Sequence, residues 1–253
     1  MASLTAPNDV WVPYVVPHAS PDLRVFCFPY AGAGASVYAG WANELPRTLQ
    51  VCPVQLPGRE TRIHEPRFRS LDLLVDAALT ALVPHFDRPF ALFGHSMGAL
   101  IAYVISVRLA RMGLPAPRHL FVSARRAPQL PSRESLREFD DAQLCDRLRE
   151  LGGIPPEVLA SPELMALLLP ILKDDFALTE SGHDTGDALL TCPISAFGGI
   201  DDREVSRADL DGWRERTTGR YRLRLLPGDH FFLKSSRGLL QQLIVRELDA
   251  ECA

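Results

Sequence analysis

Short apolar runs closed by glycine- or proline-rich turns recur along the chain, and longer stretches between them carry helical spacing. Arg24-Val25-Phe26-Cys27-Phe28 and Pro89-Phe90-Ala91-Leu92-Phe93 are of buried-strand type. So are His119-Leu120-Phe121-Val122-Ser123 and Pro193-Ile194-Ser195-Ala196-Phe197, while Tyr221 to Leu226 alternates like a strand. The apolar stretch from Ala99 to Leu109 stops at Gly113 with Pro115 beyond, which predicts a helix with a glycine stop. The fold expected is α/β: a mainly parallel sheet, helices on both faces, and loops at the strand C-termini forming the site. Residues 131–190 differ in character. Asp140-Asp141 opens a helix with Leu144, Leu148 and Leu151 on one face, ending at Gly152-Gly153. Ser161-Pro162-Glu163 caps a second, which Pro170 should kink or break. This segment reads as a helical lid within a single domain spanning 1–253. Met165, Leu168, Leu172 and Phe176 either line an acyl chamber or pack the lid onto the core.

The strand ending at Phe93 leads into Gly94-His95-Ser96-Met97-Gly98, a G-x-S-x-G pattern immediately before a helix. A strand, a tight turn and a helix lift the serine onto a strained corner, with its hydroxyl exposed and its backbone near a helix N-terminus. Side chains at positions 94 and 98 would collide with the neighbouring strand and helix. His95 faces away from Ser96 in such a turn and reads as structural. The bland alternative, a strand–helix turn whose serine caps the helix, predicts no partners later in the chain. Partners are present. The strand at 193–197 runs into Gly198-Gly199-Ile200-Asp201-Asp202, and Pro227-Gly228-Asp229-His230 follows the last strand. Gly199-x-x-Asp202-x-x-Val205 favours Asp202 over Asp201 as the acid. The order Ser, Asp, His is that of the α/β-hydrolases rather than of the serine proteases.

These residues define a chemistry. A serine hydroxyl is a poor nucleophile at neutral pH, so His230 must take its proton during attack. Asp202 would fix the imidazole tautomer and stabilise the imidazolium. The oxyanion needs two N–H donors: Met97 at the helix start, and Ala31 in the loop Pro29-Tyr30-Ala31-Gly32-Ala33-Gly34 after the first strand. As a phosphate cradle that loop lacks both G-x-G-x-x-G and the P-loop lysine.

Longer strings resemble the type II thioesterases, the stand-alone hydrolases accompanying polyketide and nonribosomal peptide assembly lines. They are Phe28 to Ser36, Gln55-Leu56-Pro57-Gly58-Arg59-Glu60 with Arg62 and Glu65-Pro66, Phe93 to Gly98, Phe121 to Pro128, Cys192-Pro193, and Leu226 to Leu233. The resemblance implies an α/β-hydrolase fold with oxyanion donors at the Ala31 and Met97 amides. It also implies hydrolysis of acyl thioesters held on the phosphopantetheine arm of acyl or peptidyl carrier proteins, clearing stalled or aberrant groups. Tyr30 stands where many relatives carry histidine, which leaves a side-chain role there in doubt. Three other functions compete: a general carboxylesterase, a malonyl-type acyltransferase, and a non-enzymatic carrier-binding scaffold that the intact Ser96, Asp202 and His230 argue against.

A net charge of −4 and the absence of a basic field leave nucleic acid out. Lys173 and Lys234 are the two lysines among 27 basic residues, a bias that fits genomic composition. Arg59, Arg62, Arg67, Arg69, Arg125 and Arg126 fall near the expected site face, where they either dock an acidic carrier protein or are plain solvated arginines. The five cysteines show no C-x-x-C spacing, so neither a metal site nor a disulfide framework is expected, and no cofactor. No apolar stretch reaches a membrane span, and Pro7, Pro13 and Pro17 interrupt the N-terminus. The expectation is a cytoplasmic monomer.

Overall fold

The computed structural model describes residues 9–15, 21–131, 135–181, 186 and 188–250. Among these residues, six strands form one sheet: β1 (Leu23–Phe28), β2 (Leu49–Pro53), β3 (Phe90–His95), β4 (Leu120–Ser123), β5 (Ile194–Gly199) and β6 (Tyr221–Leu226). Their order is β2-β1-β3-β4-β5-β6, and every neighbouring pair is parallel. The helices are α1 (Leu71–Leu82), α2 (Met97–Arg111), α3 (Asp141–Leu151), α4 (Pro156–Leu159), α5 (Pro162–Glu180), α6 (Arg207–Asp211), α7 (Phe232–Ser235) and α8 (Arg237–Asp249).

The strands read as continuous apolar runs because both faces of the sheet are covered. Alternation sorts their side chains between two cores. Phe26, Phe28, Leu92 and Val122 pack with Leu74 of α1 and Leu100 and Ile101 of α2. Val25, Cys27, Phe93 and Phe197 pack on the other face with Tyr38, Trp41 and Leu240 and Ile244 of α8. At the sheet edge, β6 turns Leu223 toward the first core, while Arg220, Arg222 and Arg224 gather on Glu247 of α8 at 3.9, 3.2 and 3.7 Å.

β1 and β3 lie side by side although β2 intervenes in sequence. The chain thus leaves β1 toward one side of the sheet and β3 toward the other. A crevice opens beyond the strand C-termini at such a switch point, and ligands bind there.

Between β4 and β5 the chain builds α3, α4 and α5. Asp140 accepts the Gln143 N–H at 2.8 Å and Gln143 Oε1 accepts the Asp140 N–H at 3.0 Å, a reciprocal cap. Gly152 closes α3 in the left-handed conformation, φ 73°. Leu144 and Leu148 of α3 pack on Met165 and Leu172 of α5, forming a small core of their own. Pro170 does not break α5, which runs unbroken from Pro162 to Glu180. An interior proline costs about 3 kcal/mol. Burial of Met165, Ile171, Leu172 and Leu178, at roughly 1.5–3 kcal/mol each, more than offsets it. Residues 132–134, 182–185 and 187 of the 131–190 segment lie outside the described residues.

Candidate active site

Ser96 occupies the corner between β3 and α2 with φ 52° and ψ −113°, a strained conformation for a non-glycine residue. Its N–H donates to the Ser123 carbonyl at 2.7 Å, tying the corner to the end of β4. Both flanking glycines are required sterically. A Cβ on Gly94 would lie 2.1 Å from the Gly98 carbonyl oxygen, and one on Gly98 would lie 2.1 Å from that of Phe28. The second contact presses the start of α2 onto the end of β1, so the loop after β1 sits beside the serine. The Met97 N–H opens α2 next to that loop, and Met97, Ala31, Ser96 and His230 line the same cavity.

The turn after β5 delivers the acid. Asp202 Oδ1 accepts the Glu204 and Val205 N–H groups at 2.8 and 3.1 Å, and Oδ2 lies 2.9 Å from His230 Nδ1. The Asp202 side chain is fully buried, while that of His230 is 11% exposed. With Nδ1 engaged, the other ring nitrogen of His230 is the one left for a substrate or nucleophile. Asp201 lies exposed, its N–H donating to the Gly228 carbonyl. Gly199 keeps the two turns together: a Cβ there would lie 2.2 Å from the Asp229 carbonyl oxygen.

His95 is fully buried, with Nδ1 2.8 Å from Ser123 Oγ and its ring edge-on to His230 at 5.5 Å between centroids. Burial above all, with the neighbouring His230 second, pushes its pKa well below the ordinary histidine value. A neutral imidazole therefore backs His230. Tyr30, the departure from the expected histidine, packs edge-on against His95 and Phe231 at 5.7 and 5.1 Å. Burial raises its phenol to about 12, so it stays protonated.

The cavity has a volume of about 850 Å³, within the range of small-molecule sites. Leu100, Leu130, Leu151 and Phe176 give it an apolar stretch, and Arg125 and Glu180 a polar one. Of the four residues weighed for an acyl chamber, Phe176 lines the cavity. Met165 and Leu172 instead fill the core between α3 and α5, and Leu168 packs against it. Arg125 sits on the cavity wall, its guanidinium lowered to about 10 by burial and then by Arg126.

Most of the arginines considered for docking are engaged within the chain. Arg59 pairs with Asp175, Arg62 with Glu65, Arg67 and Arg69 with Asp174, and Arg126 with Asp209. Arg69 is the exposed one of these, its side chain 74% accessible. Sequence reasoning passed over two features. Ala124, beside Ser96 at the end of β4, also has a positive φ of 50°. No local signal marks it, since alanine carries no preference for that region. Asp175 is buried on α5 against the loop after β1. A carboxylate at the i+3 position from Leu172, on the buried stripe of an apolar helix, was the available sign.

Among the described residues, Cys27, Cys52, Cys145 and Cys192 are free thiols, and no cluster of histidine, cysteine and acidic side chains is suited to a metal. Cys252 lies outside the described residues. No described helix is long and apolar enough to cross a membrane.

A parallel sheet carrying a serine at the strained corner after β3, and a paired aspartate and histidine on the turns after β5 and β6, defines an α/β-hydrolase. Residues 23–251 match the thioesterase domain family. The gramicidin S biosynthesis protein GrsT of Aneurinibacillus migulanus is 39% identical over 232 residues, spanning 91% of each chain. The solved structure of RedJ, a thioesterase from the prodiginine biosynthetic pathway of Streptomyces coelicolor, superposes with a TM-score of 0.83 at 38% identity. That match covers 93% of this chain and 97% of RedJ. YbtT, a type II thioesterase from the yersiniabactin pathway, gives 0.82 at 32% identity, over 94% and 96% of the two chains. The chain belongs to the thioesterase family, as a thioester hydrolase of the type II kind.

Proposed function

We propose that this enzyme hydrolyses acyl thioesters carried on the phosphopantetheine arm of acyl or peptidyl carrier proteins, clearing stalled or aberrant groups from a polyketide or nonribosomal peptide synthase. The observation that carries the reading is the 2.9 Å Asp202–His230 contact, on the cavity that Ser96 also lines. Relatives named for gramicidin S biosynthesis and for the yersiniabactin NRPS/PKS pathway support the partner class.

In this reading Ser96 Oγ attacks the thioester carbonyl while His230 Nε2 takes its proton, and Asp202 stabilises the imidazolium. Backbone N–H groups of Ala31 and Met97 receive the oxyanion. The tetrahedral adduct collapses and expels the pantetheine thiolate, which His230 can reprotonate. Because a thiolate leaves more readily than an amine, the demand falls on the oxyanion site and on admission of water. Water, deprotonated by His230, then cleaves the acyl-serine. The chain works as one unit over residues 1–253, a cytoplasmic monomer, with 131–190 as the lid over the cavity.

The test is mass spectrometry of an acyl-loaded carrier protein incubated with wild type or Ser96→Ala, beside a matched oxygen ester. The expected result is loss of the acyl group with wild type only, faster than cleavage of the ester. Cleavage of the ester with the carrier left loaded would establish a carboxylesterase instead.

A further inference from the structure

Helix α5 meets the loop after β1 at two points one turn apart. Leu172 packs so closely on Gly32 that a Cβ there would lie 2.8 Å from its Cδ2. Asp175 Oδ2 accepts the Gly32 N–H at 2.8 Å. Arg59 grips the same carboxylate in a fork, Nη1 to Oδ2 at 2.6 Å and Nη2 to Oδ1 at 2.7 Å. Arg59 Nη1 also reaches the Ala33 carbonyl at 3.4 Å. The side chains of Arg59 and Asp175 are 5% and 0% exposed.

A charge pair buried this deeply is a poor route to stability, because desolvation consumes most of the attraction and apolar side chains of similar volume pack as well. Its distinguishing effect is directional. The Gly32 N–H shares a peptide plane with the Ala31 carbonyl, so a carboxylate fixed from behind by a two-pronged guanidinium sets the orientation of the backbone on the C-terminal side of Ala31. Gly32 itself has φ 78°, a conformation that glycine adopts without strain but does not hold on its own. We infer that Asp175, clamped by Arg59, is a positioning residue for the oxyanion site: it holds the loop so that the Ala31 N–H is aligned before the substrate arrives. The inference rests on the role proposed above for Ala31. It also makes the seating of α5 a condition of catalysis, since moving α5 off the loop withdraws the Gly32 anchor.

Two double variants separate alignment from packing. Arg59→Met/Asp175→Leu removes the acceptor without burying a lone charge, and Arg59→Gln/Asp175→Asn removes both charges but keeps an oxygen for the Gly32 N–H. Each is assayed with the butyryl thioester of N-acetylcysteamine, with a butyl trifluoromethyl ketone that forms a hemiketal oxyanion on Ser96, and with the corresponding alcohol, which forms none. For the apolar pair the expected results are a kcat lower by roughly 30-fold, a KM within about two-fold, ketone binding weakened in proportion, and alcohol binding unchanged. The amide pair should recover to within about five-fold of wild type.

A folded apolar variant with kcat and ketone binding near wild type would overturn the inference. So would equal weakening of ketone and alcohol, or an amide pair as slow as the apolar one. Should the apolar pair fail to fold, hydrogen exchange on the wild type decides. Protection of the Gly32 amide equal to that of the α5 amides supports the clamp, and free exchange of Gly32 refutes it. Wild-type and Ser96→Ala ketone binding is measured first, so failure of the serine reading is seen separately from failure of the clamp.

Discussion

Asp202 and His230 lie 28 positions apart in sequence and 2.9 Å apart in space. The two turn amides on Asp202 Oδ1 hold the carboxylate, and the carboxylate in turn selects which imidazole nitrogen bears the proton. Asp202→Asn preserves the shape but favours the wrong tautomer. Its kcat should fall by about 10³–10⁴-fold with little change in thermal stability, as steady-state kinetics beside calorimetry will register. His95 makes a different demand. The fold keeps it neutral, whereas in the unfolded chain it titrates near its ordinary value of 6.5. Below that pH the unfolded state binds the extra proton, so stability falls as pH drops, until His95 protonates within the fold. Within that window the loss approaches about 1.4 kcal/mol per pH unit from this one group. Urea unfolding at a series of pH values below 6.5 should show stability falling more steeply with acidification in wild type than in His95→Gln. An equal slope in both would place the acid sensitivity elsewhere.

The elements meet at glycines. With a Cβ 2.1 Å from the Phe28 carbonyl oxygen and 2.6 Å from its carbon, both backbone atoms, Gly98→Ala must push α2 away from β1. A cost of about 3 kcal/mol is expected, which corresponds to a melting temperature lower by roughly 6–12 °C. Activity should fall further than stability does, because the displaced loop carries Ala31. This part of the site was legible in the sequence for a physical reason: a strand, a corner and a helix are contiguous, and local sterics dictate their glycines. The turns around Asp202 and His230 were legible likewise, each marked by its own strand end. The bond from Gly32 to Asp175 spans 143 positions and answers to no local rule. Pro170 misleads in the opposite direction, since its local preference is real but tertiary burial along α5 outweighs it.

At the scale of the molecule, the cavity of about 850 Å³ belongs jointly to the sheet end and to the inserted helices. Ser96, Met97 and His230 come from the former, Leu151 and Phe176 from the latter. An acyl chain seated in this cavity would meet side chains of the inserted helices, Phe176 among them. Phe176→Trp should lower the ratio of decanoyl to butyryl thioester kcat/KM by about 10-fold, measured with N-acetylcysteamine thioesters, and Phe176→Ala should raise it. An unchanged ratio in both variants would remove Phe176 from the acyl path.

The arginines along β6 bear on how copies of the molecule behave toward one another. An outermost strand offers its unpaired backbone groups to any passing strand, and a row of cations is one way such an edge is kept unattractive. Arg222 and Arg224 of β6 both reach Glu247 of α8, so cationic side chains line that border. Replacing Arg222 and Arg224 by threonine would leave a neutral, β-prone border. In light scattering at rising concentration, that variant should self-associate under conditions where the parent protein stays dispersed. Arginine, the residue type that grips Asp175 inside the molecule, would then also govern how its copies meet.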